Sequence, residues 1–74
     1  MKMVNQKVET PLGVDGIVQG GYRVTDDQGA VIVDGVMVRV PINDVTRLQM
    51  NQSNCLTPRA NYSGLWVFAE SELK

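Results

Sequence analysis

Seventy-four residues with 43% hydrophobic content and a formal net charge of −1 are expected to form one small globular domain, with no electrostatic footprint of a dedicated nucleic-acid binder. The absence of histidine removes a Ser–His–Asp triad and histidine-ligated metals, and the single cysteine, Cys55, forms neither an internal disulfide nor a zinc or iron–sulfur site. No apolar run approaches the ~20 residues of a membrane span, residues 1–6 turn polar too early for a signal peptide, and an unstapled chain fits a reducing cytoplasm.

Valine dominates the aliphatic residues, and the patterning is period two with turn residues between runs, which predicts short antiparallel strands. A first extended segment covers residues 3–9 and is broken by Pro11 and Gly13. A second strand covers residues 16–25, with Val18, Tyr22 and Val24 on one face and Gln19, Arg23 and Thr25 on the other. Gly20 and Gly21 inside it predict a bulge or sharp bend. Residues 26–29 are a tight connection, with Gly29 suited to positive φ. Asp34 and Gly35, between two valine-rich runs, predict a two-residue hairpin turn within residues 30–40. That register places Val31, Val33, Val36, Val38 and Val40 on the core face and Ile32, Met37 and Arg39 on the other.

Pro41 to Val45 fits one 3₁₀ turn capped by Asn43, and a short strand could follow through Val45 and Leu48. Residues 49–54 and 57–64 read as irregular connectors. Residues 65–68 form the final strand, which runs into a second helical turn ending on Leu73. The segments 40–45 and 68–73 share one order: hydrophobic, small, variable, polar cap, acid, aliphatic.

The sum is an all-β, SH3-like small barrel of about five antiparallel strands with a 3₁₀ turn, in which residues 54–74 supply the closing or overlapping strand. Lys7, Val8, Gly16, Ile17, Val18, Tyr22, Gly29, Ala30, Val31, Pro41 and Leu48 together resemble the plasmid-borne type II dihydrofolate reductases, SH3-like chains that assemble into a tetramer around one central pore. That family lines its pore with Val-Gln-Ile-Tyr, where this chain has Val38, Arg39, Val40 and Pro41; the resemblance therefore implies the fold and not reductase activity. At the other end, Asn61, Tyr62, Ser63 and Gly64 with Phe68, Ala69, Glu70, Glu72 and Leu73 resemble the closing segment of the SH3-like photosystem I subunit that helps dock ferredoxin. The two resemblances imply one fold and different functions.

Ile32, Met37 and Arg39 are candidates for a subunit or partner interface, set against cover by the monomer's own chain. Tyr62, Trp66 and Arg59 are candidates for partner binding, with core filling the competing reading for Trp66. Arg23, Arg39, Arg47 and Arg59 are scattered and interleave poorly with aromatic residues, which weakens nucleic-acid binding. Asp15, Asp26, Asp27 and Asp34 read as turn residues, the glycines are no phosphate loop, and Cys55 reads as a bystander in a polar loop. No catalytic residue, metal ligand or cofactor is assigned. The expected function is a non-catalytic oligomerising or protein-binding module acting through an outer sheet face, with a homo-oligomer as the expected assembly. The alternatives are a small-ligand or enzymatic site at a pore or cleft between copies, and nucleic-acid binding by the barrel face.

Overall fold

The computed structural model describes residues 3–74; Met1 and Lys2, which open the segment read for a leader, lie outside the described residues. Period-two valines and β-branched neighbours make β1 (Lys7–Glu9), β2 (Asp15–Thr25), β3 (Val31–Pro41) and β4 (Ser63–Phe68), a four-stranded antiparallel sheet in sequence order. Helical structure is confined to α1 (Asp44–Arg47) and a 3₁₀ turn (Glu70–Glu72). The molecule is all-β in class. Beyond the four strands, Glu9 and Lys74 exchange backbone hydrogen bonds of 2.9 and 3.2 Å at the β1 edge. At the β4 edge the Leu56 N–H donates to the Leu65 carbonyl and the Val67 N–H to the Asn54 carbonyl, with Cys55 bridged to Trp66.

One face of the sheet carries the core. The register stacks Val18 beside Val38, Val38 beside Trp66, Val36 beside Phe68 and Val40 beside Gly64. Leu12, Met50, Cys55 and Leu73 from the irregular segments close over them. Gly64 makes room for the indole, since a Cβ there would lie 2.6 Å from Trp66 Cζ3. Trp66 is fully buried, so core filling is its role and it is withdrawn as a partner-binding residue. Cys55 is likewise a buried core residue and not a loop bystander.

The Asp34 and Gly35 hairpin is overturned. β3 runs unbroken through both residues, with Asp34 opposite Arg23 and Gly35 opposite Tyr22. Gly35 answers to close approach: a Cβ on it would meet the Phe68 carbonyl oxygen at 2.6 Å. The true hairpin joins β2 to β3 across residues 26–30. Asp26 Oδ1 accepts from the N–H groups of Gln28 and Ala30, and Gly29 sits at φ +84°.

Losing that turn reverses part of the assigned facing. Val36, Val38 and Val40 do point into the core, whereas Val31 and Val33 are exposed. On β2 the expected bulge is present, as a register shift between Val18 and Gly20. The extra residue flips the alternation, so Val18 is buried while Tyr22 and Val24 lie beyond the core, on the face of Val33. Residues 3–9 contribute only β1, because Asn5 turns at φ 69°. No strand follows through Val45 and Leu48: α1 takes Val45, and both side chains are exposed.

Candidate functional site

The pairing leaves part of the sheet without cover. β1 pairs only with residues 15–17 of β2, and β4 only with residues 36–41 of β3. Beyond those limits β2 and β3 continue as a two-stranded arm ending in the turn at residues 26–30. Arg23 meets Asp34 at 3.4 Å on one face of the arm, and Tyr22, Val24 and Val33 share the other. A second shift leaves Ile32 unmatched between the Val24–Val33 and Thr25–Val31 pairs, and Ile32 is 64% exposed. Val24, Val31 and Val33 are exposed as well.

The three interface candidates separate. Ile32 belongs to the arm, while Met37 lies in the sheet beside Val67 and Arg39 beside Leu65. A two-residue turn at Asp34 and Gly35 would set Ile32 opposite Met37; in one continuous strand they are five residues apart, about 17 Å. Met37 is half-buried and Arg39 exposed. Lys7, Ile17, Arg39 and Leu65 form one row across the four strands, on the face away from the core. Lys7, Asp15, Ile17, Arg39, Pro41 and Ser63 border a shallow hollow there of about 330 Å³. Lys7 is paired with Asp15 at 3.5 Å. Arg39 enters no ion pair among the described residues.

Two of the four arginines that look scattered in the sequence, Arg47 and Arg59, line one cleft at the other end of the molecule. Asn43 caps α1: its Oδ1 accepts from the N–H groups of Val45 and Thr46, and its own N–H donates to Thr46 Oγ1 at 2.8 Å. The fully buried Thr46 hydroxyl donates in turn to the Pro41 carbonyl, which fixes α1 to the end of β3. Arg47 and Leu48 then line a cleft of about 590 Å³ with Arg59, Asn51 and Asn61. Tyr62 follows beside it, 90% exposed, its carbonyl accepting from the Ile42 N–H. Arg59 and Tyr62 are both exposed, whereas Trp66 is inside. Sequence spacing hid the shared cleft of Arg47 and Arg59 because eleven residues without a strand separate them.

Among the described residues no group of three or more His, Cys, Asp or Glu side chains could hold a metal ion. No helix among them is long and apolar enough to cross a membrane. No family model, curated protein or solved structure matches the chain.

Proposed function

We propose that this chain is a non-catalytic oligomerising module built on an SH3-like barrel, and that the β2–β3 arm is its contact element. The fold reading is supported by the short first strand and by the mutual hydrogen bonds of Glu9 and Lys74; the helical turn expected as 3₁₀ at residues 41–45 is instead the α-helical turn α1, and the 3₁₀ turn follows β4. One observation carries the function: four apolar side chains, Val24, Val31, Ile32 and Val33, exposed on a two-stranded arm outside the core. A hairpin without a packed face is marginal in water, and an apolar strand pair with open edges is disfavoured unless something covers it. A domain of this size without disulfide or metal gains stability most readily from another subunit.

A small-ligand site between copies is the second reading, favoured by the hollow that Arg39, which enters no ion pair among the described residues, lines with Ile17 and Pro41. Amide hydrogen exchange at rising protein concentration tests the main reading. Slowing at residues 21–25 and 31–35 that grows with concentration is expected. Exchange in the arm that is fast and independent of concentration contradicts it.

A further inference from the structure

The turn of the arm carries two aspartates, whereas Arg47 and Arg59 line a cleft beyond the Pro41 end of β3, with Asp44 the acidic residue of α1. The arm tip presents Asp26 and Asp27, and Ile32 follows two residues along from Ala30, the partner of Asp26 across the turn. The Arg47–Arg59 cleft, with Leu48 81% exposed at its rim, lies at the Pro41 end of β3. β3 has 11 residues, about 35 Å at its rise per residue, and the longest extent of the molecule is 40 Å. Tip and cleft therefore stand at opposite ends of one strand. Neither Arg47 nor Arg59 enters an ion pair among the described residues, and Asp27 forms none either.

We infer that the cleft is the receptor for the arm tip of a second copy of this chain. The inference rests on the oligomerising role proposed above and names the partner surface for it. Two copies lying antiparallel bring each tip to the other's cleft, so both contacts form together and the assembly closes as a two-fold dimer. Two carboxylates meet two guanidinium groups, and Ile32 has Leu48 as its apolar counterpart. Charges matched in this way set register and partner choice more than affinity, while the apolar arm contributes the burial. A nucleic acid suits the cleft less well, because two arginines on a chain of net charge −1 neutralise few phosphates.

Charge reversal tests the pairing. Asp27→Lys and Arg59→Glu, made singly, are each expected to weaken the dimer roughly tenfold in sedimentation, and the double variant in one chain to recover most of the loss. Asp26 is left alone because its carboxylate builds the turn. Unchanged circular dichroism confirms that each variant is folded. A dimer insensitive to both reversals yet dissociated by Ile32→Lys overturns the cleft as receptor while leaving the arm's role intact. A wild-type monomer overturns both readings. Salt-sensitive binding of a single-stranded oligonucleotide, lost in Arg47→Glu/Arg59→Glu with the mass unchanged, overturns the inference in favour of nucleic acid.

Discussion

Gly35 shows how one residue type can serve two physical ends. Next to Asp34 it carries the chemistry of a type I′ turn, and nothing local in the sequence distinguishes that from a strand glycine pressed against a neighbouring backbone. The distinction is measurable. In a strand interior, Gly→Ala ordinarily stabilises by about 0.5–1 kcal/mol. Gly35→Ala is expected instead to destabilise by about 1–3 kcal/mol in urea unfolding, because its Cβ meets the Phe68 carbonyl at 2.6 Å. A stabilised variant would remove the close approach. Buried valines have a simpler fate: Val38→Ala, at 0% exposure, is expected to cost about 2 kcal/mol, whereas the exposed Thr25→Ala stays within about 0.5. Equal midpoints would contradict the facing of β3. Trp66 adds a tension of its own, since its buried Nε1–H has no hydrogen-bond partner among the described residues. Trp66→Phe removes that unmet donor as well as ring volume, so its cost is expected to fall well below the ~3–5 kcal/mol of Trp66→Ala.

At the scale of elements, α1 shows how four residues hold a helical turn against the sheet. Thr46→Val strands the Asn43 N–H and the Pro41 carbonyl, and a loss of about 1–2 kcal/mol is expected from denaturant unfolding. A change under about 0.5 would mean that the cap does not anchor the turn. Asn43 as the cap, the bulge near Gly20, the turn at residues 26–30 and the last strand were all legible, because each has a local signature in residue type or periodicity. The facing of the arm was not. A bulge of one residue in β2 and the misread turn in β3 each invert the alternation, so an error at Gly35 moves Val31 and Val33 from the surface to the core. Leu12, Met50 and Cys55 escaped notice as core residues for another reason: they descend from loops, where burial leaves no periodic trace. The Arg47–Arg59 cleft is equally non-local.

For the whole molecule, the sheet is better covered at one end than the other. The core is complete where β1 and β4 flank β2 and β3, and it stops where the arm begins. An arm of this kind contributes little to a monomer and can be kept only if it is covered or tolerated as an edge. The proposed self-association would cover Val24, Val31, Ile32 and Val33 together, all four of which are exposed. The most direct test is the solution mass by light scattering behind gel filtration, for wild type and for Ile32→Lys/Val33→Lys. Wild type is expected at two or more times 8.2 kDa, and the variant at 8.2 kDa with its β circular dichroism retained. Wild type at 8.2 kDa at high concentration, or a variant that keeps the full assembly, would contradict the arm as the contact element.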